Sequence, residues 1–440
     1  MPTQEVAPAA RHAALVRRGT GRPHRVLLDG GGADSWGDGT VRYSDSPRAT
    51  LTCHASGWHA WRDANGTRWR WGDPFDAWQA FVDAERPALG EGGGIASALA
   101  YDLLHAVEHV DRRRAWPTTP LLFAAAYDWS YRADRRAGRA WLHAPDSARL
   151  AIAREWLASA DPPPAAGRAL CPRPAIDRDH YQALVARVHE YIAAGDVYQV
   201  NLAYPFRAAA TRADAAALLA AWSGVEPMPF AAYLEGDDWT LVSNSPECLL
   251  RLDGDHLATF PIKGTARPAT AAGGLAAVAK ERAEHVMIVD LERNDLGRVC
   301  AAGSVAVAEL FAERRYPLLV HLVSEVRGRL RPGLSHAAVL RALFPGGSIT
   351  GAPKIRAMQI IEELEPAPRG FYTGAVGWTE ADGRCVFNIA IRTAVLDRAG
   401  LCYWAGGGIV ADSDAEREYA ETRLKTEGLT QALRGMERTG

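Results

Sequence analysis

Apolar positions recur at helical spacing most clearly in the second half of the chain. Tyr181, Leu184, Val188 and Tyr191 fall at i, i+3, i+7 and i+10, which predicts one face of a helix ending at Gly195. Thr240 to Ile262 reads as several short strands with a turn at Asp253-Gly254, and Ala279 to Leu291 reads as a helix. Pro353 sits at a first helical position, Ile355, Met358 and Leu364 mark that helix, and Pro366 ends it. Cys385 to Leu396 alternates and is β-branched, so it reads as one strand, as does Leu401 to Trp404.

The first half is less regular. Arg25 to Leu28, Leu51 to His54 and Arg68 to Trp71 read as strands, and Pro74 to Ala84 and Ser147 to Ala158 as helices. Tryptophans are frequent here and are expected to build a satellite of the core. Residues 158 to 176 carry Pro162 to Pro164, Gly167, Pro172 and Pro174, and proline donates to neither helix nor ladder, so packed structure should pause. The expected division is an N-terminal subdomain over 1–160, a linker over 161–176 and a catalytic domain over 177–434. Strands and helices do not alternate as βαβ units, so the fold class is α+β rather than a doubly wound sheet.

Composition narrows the functions. The chain has 440 residues, 48% hydrophobic and 23% charged, with a formal net charge of -2. It therefore lacks the overall basic field that draws proteins to nucleic acid or anionic membranes. No run of apolar residues is long enough to span a bilayer, and Met1 to Gly21 has no secretory core. The six cysteines, Cys53, Cys171, Cys248, Cys300, Cys385 and Cys402, form no C-x-x-C pair, which argues against zinc and a disulfide scaffold and fits a cytoplasmic setting. Among 50 basic residues only four are lysine: Lys263, Lys280, Lys354 and Lys425. Where arginine serves almost every cationic need, a retained lysine draws attention to chemistry that arginine cannot do, such as losing a proton and acting as an amine nucleophile.

Several segments carry chemistry. Glu281, Glu284 and His285 share a helix face, and so do Glu418, Glu421 and Lys425. Two helices that each present a carboxylate pair can hold Mg²⁺; either segment alone reads better as a solvated face with ion pairs. Phe344 to Lys354 is a glycine-rich turn leading into a helix, suited to an anion or to a purely structural turn. It is no phosphate loop, because Ala352 and Pro353 follow Gly351 and Ile355 follows the lysine. Gly406-Gly407-Gly408 follows a strand and admits close approach of a ligand, or forms an unliganded turn. Lys263 lies at a strand end beside Gly264, and Ser245-Pro246-Glu247 supplies a carboxyl suited to proton transfer.

Taken in order, these segments resemble the chorismate-utilising family that includes anthranilate, aminodeoxychorismate, isochorismate and salicylate synthases. The resemblance runs from about Tyr181 to Leu429. It rests on Gly195 to Asn201, Ser245-Pro246-Glu247, Pro261 to Thr265, Lys280 to His285 with Asp290 to Asp295, Gly346 to Arg356, Phe371 to Gly374, and Gly406 to Lys425. It implies an anthranilate synthase component I-like fold, with β-sheets packed as a sandwich and helices outside. It also implies Mg²⁺ on Glu284 and Glu421 with Glu281 and Glu418 in support. Arg392, Tyr372, Lys425 and the backbone of Gly406, Gly407 and Gly408 would contact the substrate's carboxylates. His321, Thr265, Ser348 and Gln199 match polar positions around the ring. The position of Lys263 is alanine in the anthranilate-forming branch and lysine in the aminodeoxychorismate branch, which implies a covalent Lys263 route with Glu247 as acid. In the water-adding branch a lysine that activates water matches the region of Gln199, and this chain has no lysine there.

No cysteine sits in a G-x-C-x-G-like elbow, so the resemblance implies a separate glutamine amidotransferase that supplies ammonia. The chain ends soon after the last motif, and no lyase domain is expected. Leu27-Leu28-Asp29-Gly30 departs from the L-L-E-S of tryptophan-inhibited members, so such inhibition is not expected.

Overall fold

Strict alternation along the central strands fixes how the layers stack. In Gly94–Leu99, Ala96 and Ala98 face one side, while Ile95 and Leu99 face the other. A computed structural model places residues 1–9, 12–31, 37–160, 170–266, 279–316 and 318–436; the side chains of 265, 266 and 279–281 lie outside the description. Its strands form two 12-stranded sheets, and every pairing between strands is antiparallel. Each sheet takes strands from both halves of the chain. In the first, Val26–Asp29 pairs with Phe230–Glu235. In the second, Gly94–Leu99 pairs with Ala375–Glu380. Without the other half, either half would expose a long unpaired edge.

The sheets meet face to face. Ala96, Ala98, Phe123, Ala125, Tyr127 and Trp378 of the second pack on Val26, Ala232, Leu234 and Leu241 of the first. Alanines opposite large rings let the layers interdigitate, with Tyr127 stacked on Trp378 at 6.0 Å and Phe123 edge-on to Trp239 at 5.4 Å. The outer faces are covered by helices. Pro74–Glu85 lays Phe75, Trp78 and Phe81 on the second sheet, and Trp78 Nε1 donates to Ser97 Oγ at 2.9 Å. Ala215–Val225 packs on Thr240–Ser245 of the first sheet and against Glu427–Met436. The architecture is the expected α+β sandwich.

Several elements match the sequence reading: helix Ser147–Ala158 has the expected ends, Pro74–Glu85 is one residue longer, and Arg178–Ala193 buries Tyr181, Leu184 and Val188. Others correct it. Cys385 to Leu396 is two strands, Cys385–Ile389 in the second sheet and Thr393–Asp397 in the first, because the chain crosses between sheets at Ala390 to Arg392. The glycine triplet lies inside strand Gly400–Ile409 rather than after it. Pro353 caps helix Lys354–Leu364 instead of opening it, and helix Ala279–Gly297 runs past Leu291 because Leu296 is buried in the core. Trp58, Trp69 and Trp71 are exposed on the outer strands Trp58–Asp63 and Gly66–Trp71, whereas Trp78 and Trp129 fill the core. Prolines 162 to 164 and Gly167 lie outside the described residues. No helix among the described residues is long and apolar enough to cross a membrane.

Candidate active site

A cavity of about 160 Å³ lies among both sheets and two helices. Strand Ile262–Ala266 brings Lys263, strand Val320–Arg329 brings His321, and strand Gly400–Ile409 brings the glycine triplet. Helix Ala279–Gly297 contributes Glu284, and helix Ala415–Lys425 contributes Glu418, Glu421 and Lys425. Asp414 caps the latter helix by accepting the N–H of Arg417, which fixes where its first turn starts.

The amine and the acid are neighbours. Gly264, with φ of 71°, supports a bulge where the register slips between Lys263 and Thr265. Burial lowers the pKa of Lys263; Glu284 pulls it up, and Lys425 pushes it down. Glu247 is 3% exposed, and burial pushes its carboxyl up to about 7, while nearby Ser348 and the N–H of Ile262 pull the other way. The Ser245-Pro246-Glu247 turn has a physical role: Ser245 Oγ accepts the N–H of Glu247 at 3.1 Å and donates to the carbonyl of Ile389 at 2.6 Å. Displacing an amine and a carboxyl in these senses favours a neutral nucleophile beside a protonated acid.

Two further cations line the cavity. Arg392 occupies the sheet crossing with φ of 49°, a left-handed conformation that costs a non-glycine residue roughly 1–3 kcal/mol and is sustained by its surroundings. Its Nη2 lies 3.3 Å from His321 Nε2. His321 Nδ1 is 3.1 Å from the carbonyl of Gly264, which can only accept, so Nδ1 carries the proton. Burial and Arg392 push the His321 pKa down to about 3, so the ring is neutral and its Nε2 accepts from Arg392. Lys425 Nζ donates to the carbonyl of Gly406 at 2.9 Å and pairs with Glu421 at 2.8 Å. The solvated-face reading of Glu418 to Lys425 thus meets a real ion pair, but one that lines the cavity. Tyr372 is buried and stacks on Trp404 at 5.7 Å.

Glu284, Glu418 and Glu421 border the same space, and Glu418 Oε1 accepts from Ser413 Oγ at 2.7 Å. Among the described residues, no three His, Cys, Asp or Glu side chains converge to hold a metal by themselves. Hard oxygen donors in small number suit Mg²⁺, which keeps several waters and completes its shell on a substrate oxygen.

Ser348, Gly407 and Gly408 also line the cavity. Gln199 does not; its carboxamide sits behind Gly408, 3.0 to 3.2 Å from where a Cβ there would be. The side chains of Thr265, Lys280 and Glu281 lie outside the described residues. Lys354 is engaged elsewhere, in a buried ion pair with Asp295, so of the two readings of the Phe344 to Lys354 turn the structural one holds for its lysine. His285, grouped with the glutamates by helix phase, turns to the sheet and bonds Ser324 at 2.7 Å. Sequence reasoning missed Asn201, Ile391, Tyr403 and Trp404 as lining residues. Asn201 lies within a quoted motif and two residues from Gln199, a period-2 signal that places both on one strand face.

A cavity that joins an acid, an amine of lowered pKa and further cations suits a small anionic ligand. A family model described as chorismate binding enzyme matches residues 23–431. Aminodeoxychorismate synthase component 1 of Klebsiella aerogenes is 39% identical over 340 residues, covering 75% of each chain. The anthranilate synthase component I-like protein of Synechocystis sp. is 42% identical over 273 residues, 59% of this chain and 55% of that relative. In structure, anthranilate synthase component I from Streptococcus pneumoniae TIGR4 matches with a TM-score of 0.76 and 26% identity, covering 93% of this chain and 92% of that one. The chain belongs to the family of chorismate-binding enzymes.

Proposed function

We propose that the chain is the chorismate-aminating subunit of an aminodeoxychorismate synthase, serving 4-aminobenzoate and folate synthesis. The observation that carries this reading is the pairing of Lys263 and Glu247 on one cavity with their proton affinities displaced in opposite senses. The anthranilate-forming branch resembles alanine at this position.

In the proposed reaction, the neutral amine of Lys263 forms a bond to C2 of chorismate. Both ring double bonds shift, and the C4 hydroxyl departs as water with the proton of Glu247. Ammonia then bonds to C4, both double bonds shift back, the lysine leaves C2, and Glu247 regains a proton from the incoming nitrogen. The product is 4-amino-4-deoxychorismate. Two displacements replace one difficult step, and the acid and nucleophile are already in place. Arg392 and Lys425 hold the carboxylates, the glycine triplet lets the substrate reach backbone, and neutral His321 keeps Arg392 in the cavity wall.

Glu284 and Glu421, with Glu418, would hold Mg²⁺, and Glu281 is assigned to the same set by motif position. When bound, the ion neutralises a substrate carboxylate. Ammonia is assigned to a glutamine amidotransferase partner: Cys53, Cys248, Cys300 and Cys385 are buried, and no cysteine among the described residues lines the cavity. The reading is tested by incubating the purified protein with chorismate, Mg²⁺ and ammonium, with and without an aminodeoxychorismate lyase. Formation of 4-aminobenzoate only with the lyase supports it; anthranilate formed without the lyase would replace it by the anthranilate branch.

A further inference from the structure

Arg392 is held from behind. Its Nη1 donates to Glu226 Oε2 at 3.1 Å, on the side away from His321. Glu226 is 1% exposed, belongs to none of the motifs above and does not line the cavity. It terminates helix Ala215–Val225, where its N–H donates to the carbonyl of Trp222 at 3.0 Å. Its own carbonyl accepts from Asn244 Nδ2 at 2.7 Å, and the N–H of Asn244 donates to the carbonyl of Arg392 at 2.9 Å. Asn244 thus ties the backbone of Arg392 to the residue that holds its side chain. Gly428 closes the far side: a Cβ there would lie 2.8 Å from Glu226 Oε2.

This is an unusual place for a carboxylate. Glu226 Oε1 has no hydrogen-bond partner among the described residues, and its charge is met by Arg392. A buried ion pair adds little stability over apolar packing of the same volume, so its justification is sought in what it orients. The array runs Glu226, Arg392, His321, carbonyl of Gly264, and it ends beside Lys263.

We propose that Glu226 is a positioning residue that aims the Arg392 guanidinium at a substrate carboxylate. This rests on the assignment of Arg392 to that carboxylate. It gives a side chain outside the cavity a role in substrate affinity, through one hydrogen bond rather than through contact.

The test is steady-state consumption of chorismate with saturating ammonium and Mg²⁺, together with thermal unfolding. Glu226→Ala is expected to raise KM for chorismate about 10-fold with kcat within about 3-fold, the pattern of lost uniform binding. Glu226→Gln keeps an oxygen acceptor and is expected to restore KM to within about 3-fold of the parent. In an Arg392→Ala background, Glu226→Ala should add less than about 2-fold, because its effect passes through the missing guanidinium. Gly428→Ala crowds the carboxylate without deleting it and should also raise KM, which covers a Glu226→Ala protein that does not fold. An unchanged KM in Glu226→Ala, or in Gly428→Ala where Glu226→Ala does not fold, would overturn the proposal. A full additional loss in the Arg392→Ala background would do the same. Consumption is measured whichever product forms, so identifying the product in the same reactions tests the Lys263 reading separately.

Discussion

The carboxyl group of Glu247 accepts the backbone N–H of Ile262 at 3.4 Å, so the acid is tethered to the residue that precedes Lys263. The tether joins the turn before strand Cys248–Asp253 to strand Ile262–Ala266 and keeps the acid close to the amine. It also explains why a carboxyl and an amine can share a small cavity without neutralising each other's function. Burial keeps the first protonated up to about pH 7 and makes the second easier to deprotonate.

Glu247→Gln should keep the fold and slow reaction of chorismate with the enzyme by about 10²–10⁴-fold, the usual worth of a positioned acid. The pH dependence has a definite sign. Measured without ammonia, the parent's rate should climb with pH as the Lys263 amine is freed and stop climbing above about 7, where Glu247 loses the proton it must donate. The glutamine variant should lack that break and keep climbing. A parent rate that keeps rising through pH 8 would assign the proton to another group.

Two of the three adjacent glycines should respond differently to one methyl group. A Cβ at Gly406 would sit 2.3 Å from the carbonyl oxygen of Leu202, so Gly406→Ala forces the strands apart and should lower the unfolding temperature. A Cβ at Gly407 would meet Glu418 Oε2 at 3.4 Å and Lys425 Nζ at 3.5 Å, ordinary contacts within the cavity. Gly407→Ala should therefore fold normally and raise KM for chorismate. Thermal unfolding and kinetics on both variants check the contrast.

Lys354→Met should destabilise the protein by about 3–5 kcal/mol in urea unfolding, because it strips the counter-charge from buried Asp295. Adding Asp295→Asn should recover most of the loss. A single variant as stable as the parent would show that the pair is dispensable.

How much of this was legible in the chain depended on the kind of signal. Arg178–Ala193 and Ser147–Ala158 show plainly, because one apolar face and an aspartate cap, Asp177 or Asp146, are local properties. Strand Leu122–Tyr127 does not, because its three central alanines carry no β preference and both of its faces are buried. The break at Arg392 was invisible for a related reason: both flanking strands are largely buried, so the alternation runs on while the chain changes sheets. Cavity-lining residues were legible where the residue type was scarce or repeated, as with Lys263 and the glycine triplet. Glu226 was not, since a lone glutamate after a helix gives no hint that an arginine 166 positions later will lie against it.

Chelation of Mg²⁺ should abolish chorismate turnover, and added Mg²⁺ should restore it. Glu421→Gln should raise the Mg²⁺ concentration needed for half-maximal activity by about 10–100-fold. Undiminished activity in excess chelator would remove the metal from the account.

Lys263 as a covalent nucleophile is tested most directly by intact-protein mass spectrometry after mixing with chorismate in the absence of ammonia. The account predicts a species heavier by chorismate less one water, mapped by peptide analysis to Lys263, absent from Lys263→Ala and discharged by ammonium as 4-amino-4-deoxychorismate. A parent enzyme that never acquires this mass, together with a Lys263→Ala variant that turns over at the parent rate, would contradict it.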